Sequence, residues 1–237
     1  MPGTLYLIPS ALGDAPWAHY LPSETRRLVC QLSRFIAENA KTARAELKRL
    51  EHPLPLREIA IEQLPEKLAA ADVERLLAPL LSGDDVGLMS EAGCPGVADP
   101  GALLARRAHE LGIQVRPLVG PSSLLLALMA SGLEGQRFAF HGYIPVKEPE
   151  RSRRITQLEK DSRRLDQTQI LIEAPYRNAA LFQALLTACH PDSRLCLATD
   201  LTLASETVLT RKIADWRRQT PPELDRRPTV FLLLSAD

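Results

Sequence analysis

The sequence is short of the features that mark the simplest functional classes. Of its 237 residues only 5% are aromatic, four are cysteine, and 29 lysines and arginines face 29 aspartates and glutamates. A net charge of zero excludes nucleic-acid binding by bulk charge alone, while leaving room for a local basic patch. The longest purely apolar run, Leu124 to Ala130, is too short to span a bilayer. Met1-Pro2-Gly3-Thr4 shows no basic segment leading into an apolar one, so no secretory signal and no membrane association are expected. The expected compartment is the cytoplasm, with reduced thiols. Cys30, Cys94, Cys189 and Cys196 form no CxxC pair, no HxxxH pair accompanies them, and no metal is expected. There is no GxGxxG after the first apolar run and no GxxxxGK[ST] anywhere, which disfavours ordinary Rossmann and P-loop chemistry.

What is present is the make-up of a globular protein, 45% hydrophobic and 24% charged. The length allows one large domain or two small ones. Short apolar runs alternate with longer amphipathic ones, the pattern of an α/β chain. Strands are expected at Leu5–Ile8, Phe35–Ala37, Val86–Met89, Val115–Leu118, Phe138–His141, Ile170–Glu173, Leu195–Thr199, Glu206–Leu209 and Val230–Leu234. Helices are expected at Thr25–Leu32, Lys41–Leu50, Glu66–Leu81, Ala102–Leu111, Ser122–Ala130, Arg151–Lys160, Ala179–Cys189 and Ile213–Arg218. In Ala102–Leu111 the apolar residues recur at helical spacing, and Gly112 follows as a stop. The first half suits parallel crossovers, whereas the closer strands of the second suit a mixed sheet. With a turn at Gly120-Pro121, two α/β domains are expected, 1–119 and 120–237.

The densest local signal is Ser90-Glu91-Ala92-Gly93-Cys94-Pro95-Gly96-Val97-Ala98-Asp99-Pro100-Gly101, between an expected strand and an expected helix. Such a loop lies at the carboxyl end of a strand, where open α/β sheets bind ligands. Three glycines and two prolines give it a fixed backbone with little side-chain bulk, so a ligand can approach main-chain polar groups. The alternative is a stiff connection in which Asp99 caps the next helix.

This segment resembles the SDAGTPxISDPG loop of the tetrapyrrole methylase superfamily, in its branch of small-subunit rRNA ribose 2′-O-methyltransferases. Further matches follow in order. Gly3 to Pro9 is similar to that branch's opening GTLYVVP, Val115 to Ser123 to its VxPLPGPSA turn, and Arg137 to Pro145 to RFxFxGFLP. Ile172 to Arg177 resembles FYESPHR, and Asp200-Leu201-Thr202 with Glu206-Thr207 resembles RELTKxxET. The resemblance implies two α/β domains of the tetrapyrrole methylase type with the cofactor cleft between them, S-adenosylmethionine as cofactor, and a homodimer. Carried over by motif, the cofactor-binding residues are Pro9, Ala92, Gly93, Cys94, Val97, Ser122, Ser123, Glu173 and Leu201. It also places Tyr176 and Arg177 facing the cleft.

The implied acceptor is RNA of the small ribosomal subunit or a related small-molecule methyl acceptor. A sulfonium methyl group is a strong electrophile, so alignment supplies much of the acceleration. A ribose hydroxyl is a poorer acceptor and gains from a base within hydrogen-bond reach. Glu38, Lys41 and Asp99, with Glu91 beside them, are the candidates for a catalytic role; the competing expectation is that Glu38 caps a helix and Asp99 braces its loop. Asn39 stands where that branch is acidic. Two further readings stay open: a tetrapyrrole methyltransferase, and a paralogue that binds cofactor without turnover. Lys147–Arg164, with seven basic and four acidic residues, is read first as a solvated helix face and second as a phosphate-tracking groove.

Overall fold

Five short segments of the first half pair into a wholly parallel sheet. The computed structural model describes residues 1–235. Its chain divides into two compact units, Met1–Ser122 and the part from Ser123 onward. The first unit runs β1 (Thr4–Ile8), α1 (Ser23–Val29), β2 (Arg34–Ala37), α2 (Ala40–Arg49), β3 (Ala60–Gln63), α3 (Ala70–Leu81), β4 (Val86–Met89), α4 (Gly101–Glu110) and β5 (Gln114–Pro117). The strand order is β3-β2-β4-β1-β5. Central β4 is buried throughout, as a parallel strand covered on both faces requires. Leu5, Leu76, Leu77, Leu88 and Leu104 form the middle of this core.

The expected crossovers are there, with one strand more than the sequence showed. β3 carries a single large apolar residue, Ile61, and leaves two of its four residues exposed. It pairs with β2 through backbone alone, Phe35 beside Ile61, and an edge strand of that composition gives no apolar signal. The helix expected from Glu66 starts at Ala70, because the Asp72 carboxylate accepts the Ala69 N–H and sets the helix start there. Gly112 does stop α4: it sits at φ 70° and the Ile113 N–H closes back on the Ala108 carbonyl.

The second unit runs α5 (Ser123–Ser131), β6 (Phe138–Phe140), α6 (Glu150–Leu165), β7 (Thr168–Ile172), α7 (Asn178–Ala188), β8 (Arg194–Thr199), β9 (Thr207–Lys212), α8 (Ile213–Trp216) and β10 (Thr229–Leu234). The order is β6-β7-β10-β8-β9, with β6 and β7 parallel and the other pairs antiparallel. This is the mixed sheet that the closer strand spacing suggested. Phe231 at its centre is fully buried, and Phe182 meets Trp216 edge to face at 5.5 Å.

The units divide after Ser122, three residues beyond the expected boundary. Gly120 explains why the turn stays with the first unit: a Cβ there would lie 2.5 Å from Pro9 Cβ. The turn is packed against the end of β1, and Val119 accepts the Thr25 hydroxyl at 2.7 Å.

Candidate functional site

In a parallel sheet every strand delivers its following loop to the same edge. At this edge the loop after β4 is tied to the chain leaving β1. The Ser10 N–H donates to the Gly93 carbonyl (2.9 Å) and the Gly93 N–H to the Ser10 carbonyl (3.1 Å). Buried Ser10 also donates its hydroxyl to the Ser90 carbonyl at 2.9 Å. Gly93, at φ 71°, allows the loop to double back, a conformation that an L side chain strains. Cys94 donates its thiol to the Pro121 carbonyl at 3.3 Å, linking the loop to the turn that ends the unit.

Asp99 is the loop's internal brace. Its Oδ1 accepts the N–H groups of Gly96 (2.8 Å) and Gly101 (2.7 Å), while its buried Oδ2 has no partner among the described residues. It thereby satisfies the first N–H of α4, although the N-cap position itself is held by Pro100, which makes no side-chain bond. Burial pushes the Asp99 carboxyl above the ordinary range, against the pull of those two N–H groups. Glu38, just past β2, accepts the Glu91 N–H at 3.2 Å. Its carboxyl is pushed up too, first by burial and then by the charges of Asp99 and Glu91. None of Glu38, Glu91 and Asp99 has an ion-pair partner among the described residues, so the edge carries uncompensated negative charge.

Helix α2 is capped by Asn39, not by Glu38: Asn39 Oδ1 accepts the Lys41 N–H (2.9 Å) and the Thr42 N–H (3.3 Å). Asparagine and aspartate perform this task about equally, so the loss of an acidic residue here leaves the helix start intact. Lys41 makes no ion pair with the acidic group among the described residues. It is exposed on the first turn of α2, and its ammonium has no partner among the described residues. Pro9 and Gly93 are buried, whereas Ala92 and Val97 are open to solvent. Burial and the Asp99 charge push the Cys94 thiol up, which makes it a poor nucleophile at neutral pH.

The second unit contributes two tight charge pairs at one edge of its sheet. Glu173, just past β7, accepts Arg177 Nε (2.9 Å), Arg177 Nη2 (2.6 Å) and the Ala174 N–H (2.7 Å), all on Oε1. Past β8, Asp200 Oδ2 accepts Arg227 Nε and the Ser205 hydroxyl, each at 2.8 Å. Leu201 is buried between Asp200 (φ 53°) and Thr202 (φ 72°), a left-handed stretch that is costly for a β-branched residue. Glu206 accepts the Thr202 N–H at 2.7 Å and helps hold the turn, while the buried Thr202 hydroxyl has no partner among the described residues. Ser122 and Ser123 lie where α5 begins, as expected.

Three structural residues escaped the sequence reading. Arg227 reaches Asp200 from 27 residues downstream, and no local pattern announces such a pair. Fully buried Asn178 donates Nδ2 to the Arg227 carbonyl at 2.7 Å. Ser10 follows an expected strand, and its buried hydroxyl was the missed signal. The basic run on α6 is partly neutralised: Arg151 pairs with Glu148 and Arg164 with Asp161, while Arg154 donates to His141 Nδ1 at 3.0 Å and keeps its charge. Among the described residues no cluster of His, Cys, Asp or Glu could hold a metal ion, and no helix is long and apolar enough to cross a membrane.

Comparison with known proteins places this architecture. The chain is 33% identical over 98% of its length, and 81% of the relative's, to a protein of Xylella fastidiosa (strain Temecula1) named Ribosomal RNA small subunit methyltransferase I. A Vibrio cholerae protein of the same name is 30% identical over 97% of the chain and 76% of its own length. In fold the chain is similar to the methyltransferase CobJ (TM-score 0.65, 17% identity, 99% of this chain and 95% of that one). It is also similar to cobalt precorrin-4 methyltransferase (TM-score 0.62, 15% identity, 98% and 94%). Residues 19–216 match the family described as Tetrapyrrole (Corrin/Porphyrin) Methylases. With most of the chain inside that family and relatives this similar along nearly all of it, the chain belongs to the tetrapyrrole methylases and is a methyltransferase.

Proposed function

We propose that this protein transfers a methyl group from S-adenosylmethionine to a ribose 2′-hydroxyl of small-subunit ribosomal RNA, acting in the cytoplasm as a homodimer. The observation that carries the reading is the loop pinned to β1 by the Ser10–Gly93 pair, with three carboxylates in or beside it that have no ion-pair partner among the described residues. S-adenosylmethionine supplies an electrophilic methyl group on a positively charged sulfur. A negative, backbone-lined edge fits such a ligand, because uncompensated carboxylates lower the energy of a nearby cation. Asp99 Oδ2, buried and without a partner, is a polar atom left over for a bound group. The likeness to proteins named for small-subunit rRNA supports the acceptor.

In the first unit the proposed cofactor residues are Pro9, Ala92, Gly93, Cys94, Val97 and Ser122. In the second they are Ser123, Glu173 and Leu201. Ser10 and Gly93 fix the loop, Gly120 lets the turn close on Pro9, and Asp99 holds Gly96 and Gly101 in place. Glu38 is the proposed base for the acceptor hydroxyl, since a carboxyl with a raised pKa is a better proton acceptor than an ordinary one. Lys41, exposed on α2, is proposed to meet the acceptor's phosphates, and Asp99 is proposed to act mainly by holding the loop.

Titration calorimetry with S-adenosylmethionine, S-adenosylhomocysteine and ATP tests the cofactor, and transfer of labelled methyl to small ribosomal subunits tests the acceptor. Binding of the first two ligands but not ATP, with label recovered in rRNA, is the expected result. Folded protein that ignores all three ligands, with and without ribosomal subunits present, overturns the reading.

A further inference from the structure

The two most exposed aromatic side chains among the described residues lie at one edge of the second sheet. β6 and β7 are parallel neighbours, with Phe140 beside Ile170. Past β6 the Gly142 carbonyl accepts the Ile172 N–H at 3.1 Å, so Tyr143 and the segment from Glu173 leave the sheet side by side. Tyr143 is 62% exposed and Tyr176 is 69% exposed. Neither phenol has a hydrogen-bond partner among the described residues. By contrast Tyr20 is buried against Glu46, and Trp17 lies under the Arg26 guanidinium.

Beside one of these rings stands a cation of fixed orientation: the Arg177 guanidinium lies 5.2 Å from the centre of the Tyr176 ring. Its Nε and Nη2 are held by Glu173 Oε1, so little freedom remains for it to lose on meeting a ligand. Tyrosine is also economical, since only two side-chain torsions must be fixed to present a large flat face. Two solvent-facing rings on neighbouring strand ends, one of them beside a planar guanidinium, are the elements on which unpaired bases stack.

We propose that Tyr143, Tyr176 and Arg177 form a stacking platform for unpaired bases of a single-stranded RNA acceptor. The proposal rests on the reading that RNA is the substrate. Splayed bases suit it, because every base offers a π-face whatever its sequence, and recognition here is of unpaired strand rather than of sequence. Duplex RNA, whose bases are already stacked, gains nothing from such a surface.

The test is fluorescence anisotropy with a short mixed-sequence single-stranded oligoribonucleotide and its duplex form, using the full chain. A 5-iodouridine strand photo-crosslinked to the protein locates the contact by mass spectrometry. Tyr176→Ala is expected to weaken single-strand binding about tenfold, as is Tyr143→Ala, while Tyr176→Phe retains most of it. The wild-type cross-link is expected at Tyr143 or Tyr176, with unchanged melting temperature in each variant. Wild-type binding that both alanine variants leave intact, or cross-links confined to other segments, overturns the platform while the RNA reading survives. Wild-type protein that binds no RNA at low salt but binds a porphyrin macrocycle overturns the RNA reading, and the platform with it.

Discussion

The two sheet edges handle charge in opposite ways. In the first unit Glu38 and Asp99 accept only backbone N–H groups, and both carboxyls are pushed above their ordinary range, chiefly by burial. In the second, Glu173 and Asp200 are each clasped by an arginine. The topology explains part of this difference. A parallel sheet collects loops at one edge, and loops built from glycine, proline and small residues bring main-chain donors but few cations. An antiparallel sheet returns the chain to the same edge, so Arg227, just before β10, arrives beside Asp200, just after β8. The first edge is left available to a positive ligand, whereas the second is already neutralised and rigid.

The contrast can be broken most severely in the second unit. Arg227→Ala leaves Asp200 largely buried without its cation and should cost about 3 kcal/mol, read by urea unfolding. The left-handed turn at Leu201 should then lose order, seen as faster amide exchange through residues 200–206. In the first unit Asp99→Ala frees the Gly96 and Gly101 N–H groups and should cost about 2 kcal/mol. Asp99→Asn keeps the accepting oxygen and should retain most of that stability. A cost for the asparagine variant equal to that of alanine would show that charge, not the bracing bonds, holds the loop.

A smaller effect tests the raised carboxyls themselves. Because Glu38 and Asp99 titrate higher folded than unfolded, the unfolded chain releases its protons first, from about pH 4. Their contribution to stability is therefore greatest below that point, falls as pH rises through the folded values, and then levels off. Glu38→Gln combined with Asp99→Asn should flatten this part of the stability–pH curve; an unchanged curve would place the sensitive groups elsewhere. The smallest expected effect is at Asn39. Alanine there should cost about 1 kcal/mol of stability through the lost cap. Aspartate should match or slightly exceed the native stability, aided by the helix dipole.

Much of this was legible from residues alone. Val86–Met89 announced a buried strand and Ala102–Leu111 a helix with its stop at Gly112, because apolar spacing follows burial directly. β3 was not legible, since an edge strand held by backbone pairing needs no apolar residues beyond Ile61. At the first edge, the glycine-rich loop stood out by its composition, and Asp99, which braces it, was among the residues named. The division of labour between Asn39 and Glu38 was not visible, as both residue types accept N–H bonds and only geometry decides which one caps. Asp200 with Arg227 was the least accessible, because the pairing depends on how a distant strand returns.

The reciprocal bonds between Ser10 and Gly93 make the glycine-rich loop, in effect, a short continuation of the sheet. Its opening should therefore be cooperative with the end of β1 rather than independent of it, so the Ser10 and Gly93 amides should exchange at one common rate. A ligand arriving at this edge meets a surface already ordered by folding, and its affinity is spared the entropy of arranging a floppy loop.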